Sequence, residues 1–321
     1  MTEPATKSIG FIGCGETARF HAEVLASLNI KISCVLATSQ KSKNIEGFAN
    51  DFHIENKYFD IDQMFSNEKL DAVWVVVPWN MNYKILKKVR KYNIPIFVEK
   101  PIACSLDEIY DLKDLYSDFN AHFQVGFNRR FYDFIPYLKE QLIKEKIKSI
   151  LIEAPESSTD DKKFNNSMIH ANTAHLIDLV YYLFGSMKLG YTTIQNKKNY
   201  SSILFVNENV PVHFISSWDI SSNFSIKINS ENKVFHMKPI EQLKIYNSMY
   251  VSNLSSSDNI RSYIPKEEDS FICDYSFKPG FLNQAKFFIE SLDNKNMNQI
   301  ASNLDSTFEI VKICEEIIGK K

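Results

Sequence analysis

Pro95-Ile96-Phe97-Val98-Glu99-Lys100-Pro101 reads as a short buried strand that stops on an acid, a base and a proline. Ile96, Phe97 and Val98 are β-branched or aromatic, the composition of a parallel strand covered on both faces. Glu99 and Lys100 then fall at its carboxyl end, the edge of an open α/β sheet where ligands bind. Pro101 fixes its own φ and keeps Lys100 extended, which aims the ammonium group. Taken alone, the stretch reads better as a turn with a solvated lysine. A glycine fingerprint upstream, at the right point of a β-α-β series, reverses that reading.

That fingerprint follows the apolar strand Ser8-Ile9-Gly10-Phe11-Ile12. It reads Gly13-x-Gly15-x-x-Ala18 and opens a helix from Glu16 to about Leu28, with Ala18, Ala22, Leu25 and Leu28 at helical spacing. Strand, glycine turn and helix in this order are the context of a dinucleotide-binding turn. Gly13 permits the tight turn, and Gly15 lets the backbone approach a pyrophosphate. Ala18 allows close helix–strand packing, and the first helical turn, with Glu16 and Thr17, offers unpaired N–H groups to the phosphates.

The second strand, Lys31 to Ala37, lacks the acidic end that holds an NAD ribose. Thr38-Ser39-Gln40-Lys41-Ser42-Lys43 follows, and no carboxylate occurs before Glu46. Thr38, Ser39 and Lys43 suit a 2′-phosphate, so the cofactor is expected to be NAD(P), leaning to NADP. The alternative is a polar surface turn with solvated lysines. Leu70 to Val77 is a buried central strand ended by Pro78, with Trp79, Asn80 and Asn82 in the loop beyond. These residues face the nicotinamide half of a cofactor or serve as turn and cap residues. A helix from Tyr83 to Tyr92, another from Leu106 to Leu115 and a strand from Ala121 to Phe127 complete a doubly wound parallel domain over residues 1–122.

Residues 123–321 change pattern. Asn128-Arg129-Arg130-Phe131-Tyr132 ends a strand and opens a helix expected to run to about Ile147. Arg129 and Arg130 suit a substrate carboxylate or phosphate, or a packing role at the domain junction. Strands then dominate to about Tyr246; Phe224 to Ile228 alternates cleanly and Val212 to Ile215 loosely, as antiparallel strands with one buried face do. An open sheet of this kind exposes a face, and a homodimer or homotetramer is expected to cover it. One helix is inserted near residues 172–184. From Ala174 to Phe184 every residue is apolar or tyrosine except His175 and Asp178, three apart on one face. Buried polar side chains need partners, so this pair serves either a core network or a ligand. Residues 248–279, rich in Ser, Asn and Asp, read as a long loop, and helical spacing returns over Phe281 to Leu292 and Asp305 to Ile318, with Asp305 as N-cap.

Composition narrows the rest. With 44% hydrophobic and 24% charged residues and a formal net charge of -2, the chain is expected to be soluble. No clustered basic stretch supports a nucleic-acid partner, since Glu140 and Glu145 interleave the four lysines of Lys139 to Lys148. The five cysteines show no CxxC pair, and no further ligands at zinc spacing accompany His175, so no metal is expected. No run of 18 apolar residues suggests a membrane span, and the cytoplasm is the expected compartment.

The glycine turn, Glu99-Lys100-Pro101, Gly126-Phe127-Asn128-Arg129-Arg130-Phe131, His175-x-x-Asp178 and the Phe281-to-Leu292 helix occur in an order that resembles the Gfo/Idh/MocA family of NAD(P)-dependent oxidoreductases. The resemblance spans nearly the whole chain. It implies an α/β fold, a Rossmann domain followed by an α+β domain with an open, mostly antiparallel sheet. It also implies sugars, nucleotide sugars or cyclitols as substrates, with a weaker likeness to members of surface-glycan synthesis. Lys100 matches the family's catalytic or substrate-orienting lysine and His175 its catalytic-site histidine. Gly13, Gly15 and Ala18 match the cofactor turn, joined by Pro78, Trp79, Asn82 and Glu99 as expected cofactor contacts. Tyr132, His170, Asn172 and Asp178 join the arginines as substrate contacts. Three departures stand out: Ala171 where the family commonly has an aspartate, Asn165-Asn166-Ser167-Met168-Ile169-His170 in place of a glycine-rich lead-in, and Asn82 in place of a histidine. A catalytically silent dinucleotide- or sugar-binding protein is the rival expectation, because this fold also hosts non-enzymes.

Overall fold

The computed structural model describes residues 7–163, 168–195, 198–207, 209–252, 260–293 and 302–319. In chain order the elements are β1 (Ser8–Ile12), α1 (Glu16–Ser27), β2 (Lys31–Leu36), α2 (Asn44–Asp51), β3 (Asn56–Tyr58), α3 (Ile61–Asn67), β4 (Ala72–Val75), α4 (Trp79–Val89), β5 (Ile96–Val98), α5 (Leu106–Leu115) and β6 (Phe123–Val125). Then come α6 (Ile135–Ile143), β7 (Ile147–Glu153), α7 (Ser158–Lys163), α8 (Ala174–Phe184), β8 (Lys188–Gln195), β9 (Asn199–Val206), β10 (Val210–Ser216) and β11 (Ser225–Ser230). The chain closes with β12 (Val234–Met237), β13 (Gln242–Val251), β14 (Tyr263–Ile272), α9 (Phe281–Ser291) and α10 (Leu304–Ile317).

Two compact units result: Met1–Phe131 with Tyr275–Lys312, and Tyr132–Asp274 with Ile313–Lys321. The first is built on an all-parallel sheet of order β3-β2-β1-β4-β5-β6. Its central strands bury every residue of β4 and β5, which is why they read as unbroken apolar runs rather than alternating ones. Trp74 anchors this core with no exposed surface. Its ring stacks on Phe97 at 4.1 Å and meets Phe288 of α9 edge-on at 5.1 Å. Phe281, Ala285 and Phe288 of α9 join Phe11, Trp74 and Phe97 in one cluster, so a helix from late in the chain completes the N-terminal core.

The second unit holds eight strands in the order β14-β13-β12-β11-β7-β10-β9-β8. β7 and β10 run parallel; the other pairs are antiparallel. Ile150, Ile152, Phe214, Ile226, Ile228 and Phe235 alternate onto a dry face with no exposure. Ile203 and Ile215 lie on exposed positions of the neighbouring strands. The expected fold class is present in both units.

Four local expectations need correction. α4 begins at Trp79, so Trp79, Asn80 and Asn82 form its first turn rather than a loop; Pro78 as N-cap starts the helix directly. The helix expected to continue to Ile147 is a short 3₁₀ turn, Asn128–Phe131, followed by α6, because Ile147 already begins β7. The loop expected over 248–279 contains the end of β13 and all of β14. Their ladder supplies the backbone hydrogen bonds, while largely exposed side chains leave no apolar period to read. Asn303, not Asp305, caps α10: its Oδ1 accepts from the Ser306 N–H at 2.9 Å.

Candidate functional site

In the first unit every candidate lies just beyond the carboxyl end of a parallel strand. Gly13 follows β1 with φ +113°, and its N–H donates to Leu36 O at 2.8 Å. A Cβ here would lie 1.9 Å from the Val76 carbonyl oxygen, so only glycine closes the turn. Gly15 is different: a Cβ would meet nothing within 4 Å. It is the N-cap of α1 and brings no side-chain cap. The first-turn N–H groups of α1, beside half-buried Thr17 and exposed Glu16, have no acceptor within their own helix, and the space beside Gly15 is open, as a pyrophosphate requires. Ala18 is fully buried where helix and sheet approach. These residues fit the phosphates of a dinucleotide.

Thr38, Ser39 and Lys43 are exposed on the loop after β2. Ser42 Oγ lies 3.5 Å from Cys14 Sγ, which ties this loop to the glycine turn. The nearest following acid, Glu46, is engaged with Lys57 at 2.6 Å. Pro78 is exposed after β4. Trp79 is half-buried in the first turn of α4.

Asn82 is fully buried, and its Nδ2 donates to Glu99 O at 2.8 Å and to Pro101 O at 2.9 Å. The side chain thereby clamps the carbonyls on either side of half-buried Lys100, across a cis Lys100-Pro101 bond. Glu99 points inward. Its Oε1 accepts from His21 Nε2 at 2.8 Å, and its Oε2 accepts from the Lys100 N–H at 3.2 Å. Burial alone would raise the Glu99 carboxyl, but the His21 hydrogen bond and the charges of His21, Lys100 and Lys278 outweigh it and hold the group below its ordinary range. Gly126, after β6, makes room: a Cβ there would lie 2.8 Å from Glu99 Oε1. Arg129 and Arg130 follow on the 3₁₀ turn, both buried.

The second unit gathers the other candidates around the start of α8. Ile169–Thr173 is a single π-helical turn, a widening common at functional sites. His175, in the first turn of α8, is 8% exposed, and Asp178 one turn on is fully buried. His170 Nε2 lies 2.9 Å from Glu315 Oε1, both side chains buried. Glu156 Oε1 accepts from Thr173 Oγ1 at 2.6 Å and its Oε2 from Asn172 Nδ2 at 3.3 Å, tying this turn to the segment after β7. Tyr132 donates to Glu241 Oε1 at 3.3 Å. Asn165, Asn166 and Ser167 of the lead-in lie outside the described residues. No group of three or more His, Cys, Asp or Glu suited to a metal occurs among the described residues, and no helix among them is long and apolar enough to cross a membrane.

The structure thus brings the glycine turn, the loop after β2, the start of α4 and the Glu99-Lys100 step to one sheet edge. Sequence reasoning missed His21, Gly126 as the seat of Glu99, and the Glu156–Thr173 pair. The available signal for His21 was a polar residue on the apolar Ala18–Ala22–Leu25 face of α1. Glu156 carried none.

Residues 7–127 match the family described as "Oxidoreductase family, NAD-binding Rossmann fold". Glucose-6-phosphate 3-dehydrogenase of Bacillus subtilis is 30% identical over 197 residues, 56% of this chain and 54% of that protein. Inositol 2-dehydrogenase/D-chiro-inositol 3-dehydrogenase of Lacticaseibacillus casei is 28% identical over 192 residues, 58% of this chain and 55% of that protein. The chain thus spans about half the length of the curated relatives it matches. Among solved structures, UDP-N-acetylglucosamine 3-dehydrogenase of Acidithiobacillus ferrooxidans has the same fold, with a TM-score of 0.76 at 14% identity over 98% of this chain and 97% of that one. Glycine turn, lysine step, sheet order and sequence matches converge on the Gfo/Idh/MocA oxidoreductase family, whose NAD-binding domain residues 7–127 match.

Proposed function

We propose that this protein is an NAD(P)-dependent dehydrogenase acting on a carbinol or keto carbon of a sugar, nucleotide sugar or related polyol. The observation that carries the reading is the buried clamp on Lys100 beside a glycine turn whose one open position is Gly15. The bound dinucleotide supplies the acceptor or donor of hydride. Gly13, Gly15 and the first turn of α1 hold its phosphates, and Thr38, Ser39 and the lysines after β2 favour NADP through its 2′-phosphate. Lys100 donates a hydrogen bond to the reacting oxygen and stabilises the charge that develops on it. His175 takes or gives the proton, and histidine starts near the useful pKa range for that work. Arg129 and Arg130 bind an anionic group of the substrate.

Reduction of NADP⁺ and NAD⁺ with myo-inositol, glucose 6-phosphate and UDP-N-acetylglucosamine tests the reading, with wild type beside Lys100→Met and His175→Asn. Lys100→Met is expected to abolish turnover and leave dinucleotide affinity within a few-fold. His175→Asn is expected to lower the rate by roughly 10²–10⁴-fold. Ala171 favours a second reading, a silent binding protein on the same fold. Tight binding of a dinucleotide or sugar, with no turnover of any of these alcohols or their keto forms, selects it.

A further inference from the structure

Lys100 is reached from behind by a buried chain of groups that the proposed chemistry does not use. His21 projects from α1, the helix that opens on the glycine turn, and is 1% exposed. Its ring stacks on Phe281 at 4.3 Å and meets Phe97 edge-on at 5.1 Å, so its orientation is fixed by packing on two sides. Nε2 donates to Glu99 Oε1 at 2.8 Å, and Oε2 of the same carboxylate accepts from the Lys100 N–H at 3.2 Å. A carboxylate 8% exposed is costly unless it is paired, and His21 is its buried partner. Lys100 and Lys278 also act on it. Gly126 and Asn82 complete the seat, one by leaving space and the other by fixing the backbone.

We propose that His21 is a positioning residue for Lys100: acting through Glu99, it keeps an anion behind the lysine and joins the dinucleotide helix to the sheet edge as one electrostatic unit. The inference rests on the reading of Lys100 as the group at the reacting oxygen. Without His21, burial drives the Glu99 carboxyl to its neutral form, and Lys100 loses the negative charge that favours its ammonium state.

The experiment reads Lys100 without turnover. Trace acetic anhydride is applied to the full chain at mildly alkaline pH, and acetylation of Lys100 is measured by mass spectrometry against exposed Lys144. Only the neutral amine reacts, so loss of the anion speeds labelling. Glu99→Gln and His21→Phe are each expected to accelerate Lys100 labelling about tenfold. The double variant is expected to go no further than either single one. Thermal melts check that each variant folds; if the phenyl variant does not, neutral His21→Gln replaces it, with about threefold acceleration expected. Acceleration in Glu99→Gln but not in the His21 variants reduces His21 to a packing residue and overturns the proposal, as do effects that multiply in the double variant. Turnover in Lys100→Met would instead defeat the assignment of Lys100 to the reacting oxygen, and the labelling result would still decide the His21 linkage.

Discussion

Gly13 and Gly15 stand two residues apart in one turn and should fail in opposite ways when given a methyl group. At Gly13 the backbone sits at φ +113°, where an L-residue is strained by about 1–3 kcal/mol. The new Cβ would also lie 1.9 Å from Val76 O and 2.6 Å from its carbonyl carbon, both backbone atoms that move only if the strands part. Adding an overpacking penalty of similar size, Gly13→Ala should destabilise by about 4 kcal/mol and lower the melting temperature by about 10 °C. Gly15 has φ -83° and ψ -174°, ordinary extended backbone, with nothing within 4 Å of a built Cβ. Gly15→Ala should leave stability unchanged or raise it by about 0.4–1 kcal/mol. The methyl group would occupy space needed by the pyrophosphate and part it from at least one N–H donor. A lost hydrogen bond to a charged group is worth about 1.5–3 kcal/mol, so dinucleotide affinity should fall at least tenfold. Thermal unfolding by circular dichroism and titration with NADPH by fluorescence read the two effects. Unchanged affinity in Gly15→Ala would refute the placement of the pyrophosphate, and an undiminished melting temperature in Gly13→Ala would refute the steric reasoning.

Three further outcomes are expected. NADPH should bind at least as tightly as NADH, and Lys41→Ala with Lys43→Ala should erase the difference; a clear NADH preference unaffected by these changes sinks the idea. Sedimentation should show at least a dimer, since Ile203 and Ile215 are exposed on the second sheet; a concentration-independent monomer of 37.2 kDa would exclude it. Glu99 is held below its ordinary range, so its contribution to stability is complete above about pH 4.3 and is lost as pH falls through its folded value. Glu99→Gln should therefore flatten the acid limb of urea stability, and an acid limb as steep as wild type would count against the buried pair.

Local signals carried far into the first unit. β1, α1, β2 and α5 are legible because apolar runs and helical spacing are punctuated by glycine or by a capping serine such as Ser105, which accepts from the Glu108 N–H. The positive φ of Gly13 follows from the same fingerprint. What escaped depends on pairing between distant segments. β14 shows no period because its side chains are mostly exposed, and only its partner β13 makes it a strand. His21 and Glu99 are 78 positions apart and meet because α1 packs beside β5, which no spacing rule encodes. Asn82 reads as a loop amide until the backbone of Glu99 and Pro101 is placed against it. Glu156 and Thr173 likewise become partners only once the segment after β7 and the turn before α8 are placed side by side.

The contribution of α9 to the N-terminal core bears on how the protein is made. Phe11, Trp74 and Phe97 leave the ribosome early, while Phe281, Ala285 and Phe288, which share their cluster, follow about 190 residues behind Phe97. At translation rates of about 5–20 residues per second, the nucleotide-binding sheet waits roughly 10–40 s with that aromatic surface uncovered. During that interval the nascent chain offers a site for a chaperone, and a fragment ending at residue 131 would keep the same surface bare permanently. The part of the molecule synthesised first is among the last to be finished.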